Sequence, residues 1–125
     1  MMMADSVQAY FRAFERKDRA AWVALCAPDA VLGGPAHEPP VVGQAALSEL
    51  FDRIAALFAT IRFDLTAVHV AGLNAAAVFK LSVVGANGRV ARAEGIVAFA
   101  ADFDGRFTRI AGFWDTAPVF TAAMA

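Results

Sequence analysis

The sequence of 125 residues has one cysteine, one tyrosine, two histidines and two lysines. A single cysteine excludes an internal disulfide bond, and a buried, unreactive thiol is the simplest interpretation of Cys26. Eleven basic and twelve acidic residues are interspersed and give a net charge of −1, so the chain lacks the cationic face that nucleic acid or anionic lipid requires. We therefore expect no nucleic-acid partner.

Long apolar runs and a leader-like start are also lacking. No segment approaches the roughly 20 apolar residues of a membrane-spanning helix. The first residues do not combine a basic region with an apolar one. We therefore expect a cytoplasmic protein without a membrane partner.

Apolar residues are plentiful, at 59% of the chain, and include thirty alanines and eleven phenylalanines. At this length we expect one domain over residues 1–125, because two cores would each be marginal. Apolar surface in excess of what one small core needs is usually buried in an internal ligand cavity or in a subunit interface.

Apolar residues recur at spacings of three and four in three segments of the first half, over residues 4–17, 19–27 and 44–58. Pro28 stops the second segment and Gly43 precedes the third. The sequence therefore predicts three helices, and it places Cys26 at the end of the second.

From Thr60 onward the period changes: residues 61–70 alternate between apolar and polar and are rich in branched residues, and three more strand-like segments follow over residues 75–85, 89–103 and 107–120. Asn-Gly and Asp-Gly pairs separate the last three segments and are strong hairpin signals. The sequence therefore predicts an antiparallel meander. Helices that precede such a sheet indicate an α+β fold with the helices on one face.

The hairpin at Asn87-Gly88 also predicts a register. If these two residues form the loop, residues whose numbers sum to 175 lie opposite one another. One face then carries Val78, Lys80, Ser82, Ala93, Gly95, Val97 and Phe99, and the other carries Phe79, Leu81, Val83, Glu94, Ile96 and Ala98. Because both faces are largely apolar, we expect the outer face to form a homodimer.

Several motifs in this order carry a resemblance to a known family. They are an inward Tyr10, a "KD" corner, a short helix with Trp22, "PDAVLGGP", "PPVVG", a long helix and "DGRFTRIAGFWD". Together they resemble the nuclear transport factor 2-like (cystatin-like) superfamily, and within it the SnoaL-like and ketosteroid isomerase-like proteins. The resemblance implies three helices packed on a strongly curved antiparallel sheet, a cone-shaped half-barrel around a deep apolar pocket, and a dimer.

The resemblance also implies where catalytic groups would lie. Ketosteroid isomerases use a carboxylate base and an oxyanion hole made of a tyrosine and a protonated aspartic acid. Tyr10 matches the tyrosine, whereas the base position falls on the Gly34-Pro35 pair and the second acid falls on Val97. The family pattern therefore predicts a member that lacks the two ketosteroid isomerase acids.

The predicted pocket has an aromatic wall and a loop across its mouth. The candidate lining residues are Tyr10, Phe14, Trp22, Phe51, Phe58, Lys80, Val97, Phe99 and Trp114, and Gly34 and His37 lie in the mouth loop. Strict alternation would put Lys80 outside, whereas the predicted register puts it inside, and both remain open. His37 is either an acid–base group or a solvated loop residue, and His69 is interpreted as structural.

Three functional hypotheses follow. The first is a dimeric protein that encloses an apolar pocket for an unidentified hydrophobic small molecule. The second is a SnoaL-like isomerase, cyclase or dehydratase acting on a hydrophobic carbonyl compound, with Tyr10 as hydrogen-bond donor and Lys80 or His37 as the titrating group. The third is a non-catalytic protein-interaction module that uses the outer sheet face. None of them calls for a metal or another cofactor.

Overall fold

A computed structural model describes residues 2–125. Its helices are α1 (Met3–Arg16), α2 (Arg19–Ala24), α3 (Gln44–Leu57) and α4 (Ala117–Met124). Its strands are β1 (Cys26–Gly33), β2 (Val41–Val42), β3 (Phe58–Ala71), β4 (Asn74–Gly85), β5 (Val90–Ala101) and β6 (Phe107–Trp114). The three predicted helices are confirmed, although the second ends three residues early.

The first two helices meet at a tight corner for local reasons. α1 ends where Lys17 adopts a left-handed conformation, with φ of 55°, and its N–H bonds back to the last turn. Asp18 then begins α2, because its carboxylate accepts a hydrogen bond of 3.0 Å from the backbone N–H of Ala21. The buried side of α1 includes Val7, Tyr10 and Phe11.

The strands form one curved, open sheet in the order β2-β1-β6-β5-β4-β3. The predicted α+β class and the packing of helices on a curved sheet are confirmed. The sheet is mixed rather than purely antiparallel, because β1 and β6 are parallel. β3, a strand of 14 residues, forms one edge of the sheet.

β1 was not predicted, since the segment around Cys26 was expected to continue the second helix. The chain leaves α2 at Leu25, whose carbonyl accepts a hydrogen bond of 2.8 Å from Phe107 N–H at the start of β6. This long-range bond draws residues 26–33 into the sheet, and the pairing skips between Cys26 and Val31 around Pro28. The predicted mouth-loop residues Gly34 and His37 remain in the loop between β1 and β2.

The predicted register between β4 and β5 is wrong by one residue. The observed partners include Val84 with Val90 and Lys80 with Glu94, so opposite numbers sum to 174. The loop has three residues rather than two, because Ala86 N–H donates to Leu57 O at the end of α3, 2.8 Å away, instead of pairing across the hairpin. A shift of one residue exchanges the two faces of a strand relative to its partner.

The corrected register separates the faces cleanly. Phe79, Leu81 and Val83 are buried under the helices together with Val97 and Phe99. The outer face carries Val78, Lys80 and Ser82 opposite Ile96, Glu94 and Arg92.

α4 replaces the end of the fourth predicted strand. β6 stops at Trp114, and the Asp115 carboxylate accepts a hydrogen bond of 3.2 Å from Ala117 N–H at the start of the helix. Pro118 then occupies the first turn, where its missing N–H costs nothing. Among the helices of residues 2–125, none has the length and apolar character needed to cross a bilayer.

Candidate functional site

A narrow apolar cavity of about 60 Å³ lies between the sheet and the helices. Its walls come from three helices, five strands and the loop between β1 and β2. The lining residues are Tyr10, Phe11, Phe14, Leu32, His37, Ile54, Phe58, Ile61, Phe63, Phe79, Leu81, Val83, Val97, Gly112, Trp114, Val119 and Phe120. Phenyl and aliphatic side chains make up most of this surface.

The structure brings together a part of the predicted site. Six of the candidates line the cavity, namely Tyr10, Phe14, His37, Phe58, Val97 and Trp114. Three more are buried in the aromatic core beside it without lining it, namely Trp22, Phe51 and Phe99. Gly34 and Lys80 do not line it.

Tyr10 projects from α1 into the centre of the aromatic core. Its ring packs edge-on against Phe11 and Phe99, with ring centroids 5.1 Å apart in each pair. Burial raises the pKa of the Tyr10 hydroxyl well above its usual value, and the nearby Cys26 thiol raises it further. The phenol therefore stays protonated at neutral pH and keeps its O–H as a hydrogen-bond donor.

Two polar groups behind Tyr10 are buried with it. The Trp22 indole N–H lies in the interior without a hydrogen-bond partner among residues 2–125. Burial raises the pKa of Cys26 to about 11, so its thiol remains protonated and is not a nucleophile at neutral pH.

His37 reaches the cavity from the loop between β1 and β2. The loop is anchored to β6 by a hydrogen bond of 3.1 Å from Ala36 N–H to Gly112 O. Gly34 makes this contact possible, since a Cβ there would lie 2.6 Å from the Gly112 carbonyl oxygen. Partial burial lowers the pKa of the His37 imidazole, so the neutral form dominates at pH 7.

Of the two orientations left open for Lys80, the structure has the outer one, as strict alternation predicts, and not the pocket position that the predicted register gives. Its neighbours Phe79 and Leu81 are buried, whereas Lys80 is exposed on the outer face. There it lines a broad groove with charged residues that include Asp64, Arg92 and Glu94. The cause is the third residue in the hairpin loop. It shifts the β4–β5 register by one residue, so that Lys80 lies opposite Glu94 and on the other face from Val97.

The cavity is polar at few points. Of the lining residues within 2–125, only Tyr10 and His37 carry titratable side chains, and Trp114 adds an indole N–H. Over the same residues, no three His, Cys, Asp or Glu side chains lie close enough together to share a metal ion. The arrangement can donate a hydrogen bond from Tyr10 and accept a proton at a neutral imidazole.

Reasoning from the sequence missed the contribution of α4. Val119 and Phe120 line the cavity, but the sequence predicts a single strand over residues 107–120, whereas β6 ends at Trp114. The signal that could have found the helix is "DTAP", an Asp or Thr cap followed by a proline in the first helical turn.

The chain belongs to the SnoaL-like domain family, whose model matches residues 7–110. Among proteins of curated function, none has a matching sequence. A Δ5-3-ketosteroid isomerase from Mycobacterium sp. is similar in structure, with a TM-score of 0.81 and 25% identity over 93% of this chain and 95% of that one.

Two further solved structures are similar to this fold. A Mycobacterium tuberculosis protein in complex with estradiol-17β-hemisuccinate has a TM-score of 0.81 and 19% identity, over 93% of this chain and 95% of that one. A nuclear transport factor 2-like protein of unknown function from Burkholderia pseudomallei K96243 has a TM-score of 0.82 and 21% identity over the whole of both chains. At these identities the likeness concerns the fold alone.

Proposed function

We propose that this protein binds a small hydrophobic molecule that carries a carbonyl or hydroxyl oxygen. The observation that carries the proposal is the presence of one phenol, Tyr10, and one imidazole, His37, in the lining of a cavity whose other walls are almost wholly apolar. Apolar walls with few polar groups are the usual composition of small-molecule sites. The ring systems named for two similar structures, a ketosteroid isomerase and a complex with an estradiol ester, agree with a flat, hydrophobic ligand.

The polar contact of such a ligand is assigned to Tyr10. A buried phenol that keeps its proton can donate a hydrogen bond to a ligand oxygen in surroundings where water does not compete. A ligand oxygen that lost this donor would be left unsatisfied in an apolar cavity, at a cost of about 1–3 kcal/mol.

The test is binding of a matched set of probes, phenol, 2-naphthol and estradiol, followed by calorimetry and by tryptophan fluorescence, to which Trp114 in the cavity lining contributes. We expect Tyr10→Phe to weaken binding by about tenfold to a hundredfold, because the ring is retained and only the donor is lost. Cys26→Ala, a change beside the phenol but outside the cavity lining, is the control. Equal affinities for Tyr10→Phe and the unchanged protein would contradict the assignment.

A second candidate function is proton transfer on a hydrophobic ketone, of the isomerase or cyclase type. It is favoured by the lowered pKa of His37, because a neutral imidazole can take an α-proton while the Tyr10 hydroxyl stabilises the enolate oxygen. The lining of residues 2–125 contains no Asp or Glu, which argues against the carboxylate base of ketosteroid isomerases.

This candidate predicts that the protein catalyses exchange of the α-hydrogens of 2-tetralone with deuterated water, observed by NMR. His37→Gln is expected to abolish the catalysed exchange, and His69→Gln, which changes an exposed histidine on β3, is expected to leave it intact. Exchange at the uncatalysed rate with the unchanged protein would restrict the function to binding.

We also propose that two copies associate through the outer face of the sheet. Ile96 pairs with Val78 on one side and with Phe113 on the other, and Ile96 and Phe113 are 42% and 49% exposed in the single chain. Adjacent exposed apolar side chains of this kind mark interaction surfaces. A second copy is preferred to an unrelated partner because the charges beside this patch are self-complementary.

A further inference from the structure

Helix α4 forms one wall of the cavity. Its Val119 and Phe120 both line the space, and Val119 is only 1% exposed. The Phe120 ring lies between two other lining rings, with centroids 5.8 Å from Phe58 and 6.3 Å from Trp114. The helix also lies outside residues 7–110, the part of the chain that matches the family model.

The volume of the cavity is too small for the proposed ligand. A cavity of about 150 Å³ is what benzene occupies in a protein interior, and typical small-molecule sites measure about 300–1,000 Å³. The observed cavity of about 60 Å³ is smaller than either. A ligand of even one aromatic ring therefore has to displace side chains of the lining.

α4 is the wall with the weakest attachment. The strands are tied by hydrogen-bonded ladders, whereas α4 has eight residues, too few for a helix that is stable by itself. Over residues 2–125, the only hydrogen bonds from outside 115–125 to this helix and its last residue come from the Asn87 side chain. Its Nδ2 has two hydrogens to donate and lies within hydrogen-bond distance of three C-terminal carbonyls, those of Ala122 at 2.8 Å, Ala123 at 3.2 Å and Ala125 at 3.1 Å.

Asn87 performs two separable tasks with its two amide atoms. The oxygen Oδ1 accepts a hydrogen bond of 3.0 Å from Arg89 N–H and so holds the hairpin loop, while the nitrogen Nδ2 holds the helix. Gly85 leaves room for this side chain, because a Cβ there would lie 2.5 Å from Oδ1 and 3.4 Å from Ala123 Cα. The contact is exposed to solvent, so water can replace it when the helix moves away.

We propose that α4 is a lid that opens to admit the ligand, that the Asn87 amide is its latch, and that Phe120 limits the size of the molecule the closed cavity accepts. This inference rests on the proposed binding function for its ligand. Its mechanical part, the latch, stands on the geometry of the single chain.

The latch is tested with Asn87→Asp, which keeps the oxygen that holds the loop and removes the donor that holds the helix. The new carboxylate also faces the carbonyl end of α4, where negative charge is unfavourable. We expect backbone amides of 120–124 to exchange with deuterium about tenfold faster, and 2-naphthol to associate faster by a similar factor in stopped-flow fluorescence. Asn74→Asp, the same change at the opposite hairpin, is the control and is expected to behave like the unchanged protein.

The two readouts separate the latch from the proposed function. Faster exchange of the α4 amides in Asn87→Asp, but not in Asn74→Asp, supports the latch even if no probe binds. Failure of every probe to bind would overturn only the proposed binding function. Unchanged exchange in Asn87→Asp overturns the latch, whether or not 2-naphthol binds. Gly85→Ala is a second variant for the same contact, and it is expected to accelerate exchange because its methyl group displaces the Asn87 side chain.

Phe120→Ala tests the limit on size. Removing this ring is expected to raise the affinity for estradiol relative to phenol by about tenfold or more, because the larger molecule no longer has to displace it. Phe103→Ala, at a loop residue that is 98% exposed, is the control. An unchanged ratio of the two affinities in Phe120→Ala would overturn the role of Phe120.

Discussion

The two histidines differ in what surrounds them. His37 is half-buried at the cavity, where desolvation lowers its pKa, and His69 is exposed on β3. A lowered pKa in the folded state means that the unfolded chain binds the proton more tightly. The contribution to stability is therefore fully present above the unfolded value of about 6.5 and is lost as the pH falls from there through the folded value.

We predict that the free energy of unfolding, measured by urea titration between pH 7.5 and 5, decreases with falling pH more steeply in the unchanged protein than in His37→Gln. The difference between the two curves isolates His37 from the carboxylates, which titrate in both. His69→Gln controls for loss of an imidazole and is expected to follow the unchanged protein. Parallel curves for the unchanged protein and His37→Gln would show that the imidazole gains no proton on unfolding in this range.

The sequence predicts which residues form much of the cavity wall, but it does not predict on which face of the sheet Lys80 lies. The inward positions of Tyr10 and Phe14 follow from helical spacing, since both lie on the apolar stripe of α1. The outward position of Lys80 was not recoverable from the Asn-Gly signal, because the loop length depends on the long-range bond from Ala86 to Leu57. A short-range turn signal cannot report a tertiary contact of this kind.

At the scale of elements, the loop that carries His37 depends on a close approach to β6. Gly34 has a φ of 79°, and a Cβ there would lie 2.6 Å and 2.9 Å from the Gly112 backbone oxygen and nitrogen. Backbone atoms of a central strand cannot move aside as a side chain can. The structure therefore requires glycine at position 34 for packing of the loop against β6, independently of any catalysis.

We predict that Gly34→Ala lowers the free energy of unfolding by more than about 1 kcal/mol and shifts the tryptophan fluorescence, because Trp114 lines the same cavity as His37 of the displaced loop. Gly72→Ala is the matched control, because Gly72 also has a positive φ, of 59°, but has nothing within 4 Å of the added methyl group. It carries the backbone strain without the clash. Equal losses of stability in the two variants would mean that the approach of the loop to β6 is not tight.

The elements that the sequence predicted poorly are those fixed by partners far away in the chain. α1, α3 and the meander from β3 to β6 follow from local periodicity and turn residues. β1 becomes a strand by pairing in parallel with β6, and the three-residue hairpin loop is set by the end of α3. Neither of these long-range contacts can be recognised from the residues of the segment whose structure it determines.

At the scale of the whole molecule, the outer sheet face carries charges in a pattern that fits a second copy. Two neighbouring rows cross three strands, with Arg62, Ser82 and Arg92 in one row and Asp64, Lys80 and Glu94 in the next. A two-fold axis running between the rows would lay the arginines of one copy over the carboxylates of the other. Within residues 2–125 none of these charges forms an ion pair inside the chain.

The same axis would place apolar side chains in contact beyond the charges. Val84 and Val90 form the row on one side, and Val78 and Ile96 form the row on the other. Phe113→Lys, which puts a charge beside Ile96, is expected to shift the protein toward monomer in sedimentation and native mass spectrometry. Phe103→Lys makes the same change at a hairpin residue away from this face and is expected to leave the assembly intact.

Charge exchange tests the axis itself. Arg92→Glu would set two carboxylates against each other at both symmetric contacts, and we expect the dimer dissociation constant to rise by about tenfold to a hundredfold. Adding Glu94→Arg to that variant exchanges the two charges and restores opposite pairs between copies, so association should recover. Arg53→Glu, at an exposed residue of α3, controls for the change in net charge. Recovery would locate the axis between the two rows, whereas a double variant as weak as Arg92→Glu alone would exclude that arrangement.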